Sequence, residues 1–308
     1  MSRDPSSRII SPEIDYTAKG IKTLKISLLG LLATGLLQVF IFMISNSAAL
    51  LADTIHNFAD ALTAIPLWIA FVLAKRKPTR SLTYGYGRAE DVAGIFIVLV
   101  IFLSAIVALY ESILKFITPE SITNPGWVIA AGIIGFIGNE IVAQYRINTG
   151  KEIGSAALVA DGKHSRIDGL TSLGVLFGAF GVMWNFPILD PIIGIVISIL
   201  IFGIVYDSAK EILKRLMDVV DPELLENIEK YAKEIEDVKS VHDVKARWIG
   251  HELRVDLSIA VNDDRSVKEG HDISVRTQSA LTKKIPHLRN ITIHVDPDSQ
   301  IGEIKHSA

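Results

Sequence analysis

Apolar residues run through the first two-thirds of the chain in blocks too long for a soluble core, with most of the charge falling outside them. Six blocks approach the roughly 20 residues that a helix needs to cross a bilayer. They are Ile26–Ser45, Ala48–Ala74, Val92–Phe116, Trp127–Ala143, Ala156–Trp184 and Pro191–Tyr206. The linkers are short: Thr118–Pro125 is rich in Pro, Thr and Ser, and Asn185-Phe186-Pro187 is a tight break. From about Val219 the periodicity becomes that of a soluble domain. Asp221-Pro222 supplies an N-cap and a first helical residue, and Leu224–Ile235 repeats at helical spacing. Val238–Ile249 and Glu252–Val261 read as strands, Ser266–Ile285 as a helix and Asn290–Asp296 as a final alternating strand. The pattern predicts an α-helical membrane protein of six transmembrane helices followed by a small α+β domain of ferredoxin-like type. The division falls between residues 1–214 and 215–308.

Charge orients this arrangement. Lys19, Lys22 and Lys25 precede the first block; Lys75, Arg76, Lys77, Arg80 and Arg88 follow the second; Arg146 and Lys151 follow the fourth; Lys210, Lys214 and Arg215 follow the sixth. The opposite connections carry no Lys or Arg, and Lys115, at the outer edge of the third block, has a stem long enough to snorkel. The positive-inside rule places both termini in the cytoplasm, and a bacterial or archaeal inner membrane is the expected host. The polar stretch Met1–Thr17 lacks the basic and apolar regions of a cleavable signal peptide. A net charge of −3 provides no basic field for nucleic acid. With no Cys in the chain, disulfides and thiolate metal sites are excluded, which leaves His, carboxylate, amide or backbone oxygen as metal donors.

One constellation occurs twice inside the apolar blocks: Ala52-Asp53-x-x-His56-x-x-x-Asp60 and Ala160-Asp161-x-x-His164-x-x-x-Asp168. Groups four apart share one helix face, and an ionisable side chain at the bilayer centre costs about 2.5–3.5 kcal/mol on insertion scales. Such groups need a partner or a function. Two His and two Asp from two helices form a closed N2O2 set whose carboxylates balance a divalent cation, which suits Zn²⁺ but also accepts Co²⁺, Ni²⁺, Cd²⁺ or Fe²⁺. Asp53 and Asp161, three residues before each His, read as acceptors that fix imidazole tautomers or as proton relays. Glu140 in the fourth block lines a cavity or approaches the cytoplasmic end.

Residues 47–60 (SAALLADTIHNFAD), 84–90 (YGYGRAE) and 160–168 (ADGKHSRID) resemble the cation diffusion facilitator family, and the likeness extends over nearly the whole chain. It implies a homodimeric exporter of divalent transition metals, working against protons in the lipid bilayer. His56, Asp60, His164 and Asp168 would form its transport site, and the His/Asp pairing is typical of zinc-preferring members. The resemblance further implies a regulatory metal site at His242, Asp256, His271, His294 and Asp296, and an inter-subunit charge interlock at Arg88 and Asp218. Alternation along the last strand independently puts His294 and Asp296 on one face. A loop metal site found in some members is absent, because Lys75–Gly87 contains no acid or His and Tyr86 stands where a His is expected.

Ligation requires neutral His and ionised Asp, so metal and protons compete, and imidazole titrates near neutrality. The expected function is therefore a Zn²⁺/H⁺ antiporter working by alternating access, with metal as substrate and regulator and no catalytic cofactor. An intramembrane metalloenzyme is disfavoured by the closed donor set and the missing His-Glu-x-x-His. The alternatives are a metal-binding sensor or scaffold without flux, or a transporter that prefers Fe²⁺, Co²⁺, Ni²⁺ or Cd²⁺.

Overall fold

The computed structural model describes residues 15–45, 54, 58, 62–117, 125–186 and 188–300. The chain divides into two units, Tyr16–Leu213 and a second that begins at Lys214. The first contains helices α1 (Tyr16–Ser45), α2 (Ala64–Ala74), α3 (Arg88–Ile117), α4 (Pro125–Ile153), α5 (Ala156–Met183) and α6 (Leu189–Leu216). All but α2 are long and apolar enough to cross a membrane. Helix α2 is the last part of the predicted second span; of the rest, only Thr54, Phe58, Leu62 and Thr63 are described, the first three helical and Thr63 in a turn.

Several helices exceed their predicted length. Helix α1 starts ten residues early and takes in Lys19, Lys22 and Lys25. Its 30 residues rise about 45 Å, beyond the roughly 30 Å of a hydrocarbon core. Helix α4 runs ten residues past Ala143, so Arg146 and Lys151 are helical rather than loop charges. Lys19 and Glu152 form an ion pair across α1 and α4. At the opposite end, Lys115 of α3 does more than snorkel: its Nζ lies 3.2 Å from Asp190 Oδ2 of α6.

Helix α5 is the central span. Half of its most apolar window is buried, against 28–39% for the other four long helices. Its sequence explains how so polar a helix is accommodated. Gly154 takes φ +73° and turns the chain out of α4, which only glycine does freely. Ser155 then caps α5, accepting a hydrogen bond from Leu158 N at 3.0 Å. Along the α4–α5 seam small residues bring the two backbones together. A Cβ on Gly162 would lie 2.8 Å from Ile147 Cγ1 and 2.9 Å from Arg146 Cβ, the close approach common in membrane helix pairs.

The second unit follows α6 with α7 (Pro222–Lys233), β1 (Ser240–Ile249), β2 (Glu252–Val261), α8 (Val267–Lys284) and β3 (Leu288–Pro297). The strands lie in the order β1-β2-β3, with β1 and β2 antiparallel and β2 and β3 parallel. This is the ferredoxin-like βαββαβ order without its first strand. Asp221 caps α7 with Pro222 as its first residue, and Ser266 and Glu269 form a reciprocal capping box on α8. Alternation along β2 sorts the two faces. Leu253, Val255, Leu257 and Ile259 pack with Ile228, Ala232, Ile273 and Leu281 beneath the helices, whereas Arg254, Asp256 and Ser258 face away from that core.

Leu257 is 3% exposed at the centre of this core. Leu257→Ala is expected to cost about 3 kcal/mol through lost burial and a residual cavity. The check is hydrogen exchange in the detergent-solubilised chain, where the β2 amides should exchange faster while those of α5 do not.

Candidate metal centre

His164 and Asp168 sit one turn apart on α5, 2% and 4% exposed. The His164 Nδ1 to Asp168 Oδ1 distance is 3.6 Å, close enough for strong electrostatic coupling but longer than a hydrogen bond. Desolvation of such groups costs several kcal/mol per ion unless they are compensated, so the pair sits where a cation would be held well. The proposed partners His56 and Asp60, together with Asp53, lie outside the described residues. Their helical neighbour Thr54 is buried, and the ring of Phe58 packs on Gly35 of α1.

The third ionisable residue of the α5 motif has an unanticipated neighbour. Asp161 is fully buried, and its Oδ2 is 3.0 Å from Arg146 NH1 of α4. Arg146 is itself only 1% exposed. Its Nε donates to Ser27 Oγ of α1 at 2.9 Å and its NH1 to Ser165 Oγ at 3.0 Å. The reading of Arg146 as a cytoplasmic loop charge is thus corrected: it is a buried cation tying α1, α4 and α5 together. It lies on the buried side of α4 with Asn139, Val142, Ala143, Gly150 and Ile153, at spacings of three and four.

A second pair joins the same two helices. Arg166 Nε and NH2 approach Glu140 Oε2 and Oε1 at 3.0 and 2.7 Å, and Gln144 Nε2 donates to Glu140 Oε1 at 3.1 Å. Two residues beyond His164, Arg166 points away from the face that carries His164 and Asp168. Glu140 is therefore matched by a fork of guanidinium donors.

In the second unit, sheet geometry assembles three of the five predicted regulatory ligands. Asp296 Oδ2 lies 3.0 Å from His242 Nε2 and Asp296 Oδ1 lies 2.9 Å from His294 Nε2. A β-bulge makes this possible. Lys245 pairs with Asp256, but His242 pairs with Ser258, so one extra residue is inserted, and Asp243 takes φ +53° there. A one-residue slip moves every side chain to the other face. Without it His242 would point into the core. Asp256 is exposed on the same open face two residues from Ser258, and His271 is exposed on α8, beyond the opposite face. Among the described residues no three His, Asp or Glu side chains are arranged to hold a metal; the two imidazoles bracket a carboxylate instead of converging on one point. For the interlock residues, Arg88 NH1 lies 3.2 Å from Asp91 Oδ2, and Asp218 adopts φ +56°.

The hairpin end of the sheet holds another aromatic and cationic cluster. The Arg215 guanidinium stacks 4.4 Å over the Trp248 ring, and Trp248 lies 5.8 Å from the His287 ring. Burial, followed by the charges of His251 and Arg215, lowers the pKa of His287 below its usual value.

Profiles of known families place these features. The cation efflux transmembrane domain matches residues 24–217, and the cation efflux protein cytoplasmic domain matches residues 220–298. A Mycobacterium tuberculosis protein named "Probable cation efflux system protein" is 48% identical over 94% of this chain and 87% of the relative. An uncharacterized transporter of Methanocaldococcus jannaschii is 30% identical over 89% of this chain and 97% of its own. The manganese efflux system protein MneP of Bacillus subtilis is 28% identical over 89% and 95%. The chain belongs to the cation efflux, or cation diffusion facilitator, family and is an integral membrane protein.

The depressed pKa of His287 has a signed consequence. A His that resists protonation when folded makes the unfolded chain bind more protons below the ordinary value of 6.5. Stability of the second unit should therefore fall as pH drops through that value, and His287→Gln should flatten the dependence. Denaturation midpoints between pH 5 and 8 provide the check.

Proposed function

We propose that the chain exports a divalent transition metal from the cytoplasm, zinc first, in exchange for protons, and binds it at His56, Asp60, His164 and Asp168. The observation that carries this reading is the buried His164–Asp168 pair on the most buried of the long apolar helices. The same His-x-x-x-Asp spacing recurs in the second predicted span. Two carboxylates offset the two positive charges, so a metal ion relieves a repulsive, desolvated cluster. Protons do the same when they replace it. This exchange couples the two fluxes without any covalent step. Each charge moved across 100 mV is worth about 2.3 kcal/mol, so a proton gradient is sufficient to drive export by alternating access. Both termini lie in the cytoplasm in this reading. A relative named for manganese efflux makes Mn²⁺ the competing cargo.

The decisive experiment is zinc uptake into proteoliposomes under an imposed proton gradient. Asp60→Ala and His164→Ala should each reduce gradient-driven uptake by about 100-fold or more, with manganese tested as competitor. Binding without flux in the unaltered protein would overturn transport and leave a metal sensor.

In the same reading the second unit dimerises and responds to cytosolic metal through His242, His294 and Asp296, with Asp256 exposed on the same face of the sheet; His271, on the other side of the sheet, is set apart from this cluster. Arg88 and Asp218 supply the charge interlock between subunits. Asp296 is the shared element, since both imidazoles lean on its carboxylate. Asp296→Ala should weaken zinc binding outside the membrane by at least about 10-fold and abolish any zinc-dependent increase in dimer mass. Isothermal titration and light scattering of the detergent-solubilised protein would show both.

A further inference from the structure

We infer that Arg146 is a specificity-determining residue that holds Asp161 out of the metal's coordination shell, an inference that rests on the transport-site reading above. At about 100° per residue, Asp161, His164 and Asp168 fall within an arc of about 60° on α5. Asp161 is thus a third carboxylate on the ligand-bearing face, fully buried, and needs only a reason not to ligate. Arg146 provides one, with its NH1 3.0 Å from Asp161 Oδ2. Among the described residues, neither oxygen of Asp161 accepts a hydrogen bond of good geometry. Among the described residues the carboxylate is therefore held by the ion pair alone. The guanidinium, in contrast, is anchored independently by Ser27 Oγ and Ser165 Oγ, so its position does not depend on Asp161.

Charge and donor counts then determine the selectivity. Four donors with two carboxylates carry −2 and suit a tetrahedral zinc-type ion. Release of Asp161 would make the set −3 and add a hard oxygen, which favours ions such as Mn²⁺ that take more oxygen ligands. The ion pair keeps the site small, neutral when loaded and biased toward zinc.

The test measures Zn²⁺ and Mn²⁺ binding by isothermal titration on the full-length protein in detergent. Arg146→Gln should raise the Mn²⁺/Zn²⁺ affinity ratio by about 10-fold or more, about 1.4 kcal/mol. The double variant Arg146→Gln/Asp161→Asn should restore the original ratio, because both charges leave together. A merely structural role for Arg146 would not produce that restoration. An unmoved ratio in Arg146→Gln, or a shift that persists in the double variant, overturns the inference. Asp161→Asn alone is isosteric, removes the charge that Arg146 pairs with, and provides the test if Arg146→Gln does not fold. Unchanged zinc affinity supports an excluded Asp161, and a loss of more than about 10-fold overturns it. His164→Ala is measured alongside. If it leaves zinc binding intact, the site reading and this inference both fall. If it abolishes binding while the Arg146 and Asp161 variants miss their expected results, only this inference falls.

Discussion

No charge inside a bilayer can be left to water, and the helical unit is organised around that constraint. Arg146 answers Asp161 at 3.0 Å, Arg166 answers Glu140 at 2.7 Å, and Lys115 answers Asp190 at 3.2 Å. Removing one partner of a buried pair typically costs about 3–5 kcal/mol, because the survivor is stranded. That penalty applies to Arg146 and Asp161, which are 1% and 0% exposed; the other two pairs are partly exposed. Against this background the His164–Asp168 pair differs in kind: its anion is matched by an imidazole, which carries charge only when protonated. The three pairs named above are matched by permanent charges; this one is not.

The parts of this arrangement legible in the sequence follow from local physics. The second unit was readable almost residue by residue, because Asp221-Pro222 and the capping box of Ser266 and Glu269 mark helix starts and strict alternation marks β2. The spans were visible as blocks, but their ends were not. Lys and Arg at a helix end resemble loop charges, and α1 and α4 therefore extended ten residues beyond expectation. That misplacement hid Arg146. The repeated His-x-x-x-Asp pattern singled out His164 and Asp168, and the fold buries both on one face of α5. The Arg166–Glu140 pair, 26 residues apart in sequence, depends on how α4 and α5 cross, which neither segment encodes alone.

The open face of the three-stranded sheet shows how much a single inserted residue can accomplish. His294 and Asp296 share a face by simple alternation, and that much was legible. His242 joins them only because the bulge at Asp243 reverses the parity of β1 between Lys245 and His242. Val241 and Val244 still pack toward the core on either side of it. The strand thus serves its core and its polar face with two different phases, and the carboxylate of Asp296 already spaces the two imidazoles before any ion is added.

The Gly154–Ser155 connection between α4 and α5 bears on how the helical unit moves. A link of two residues allows little hinge rotation, and along the seam backbones meet where even a methyl group at Gly162 would collide. Sliding one helix past the other would drive Gly162 into Ile147 and Arg146, a steep repulsive wall. The two helices must therefore travel as a single stiff lever. Any rearrangement that exposes the His164–Asp168 face to one side or the other has its slip planes elsewhere, between that lever and the helices around it.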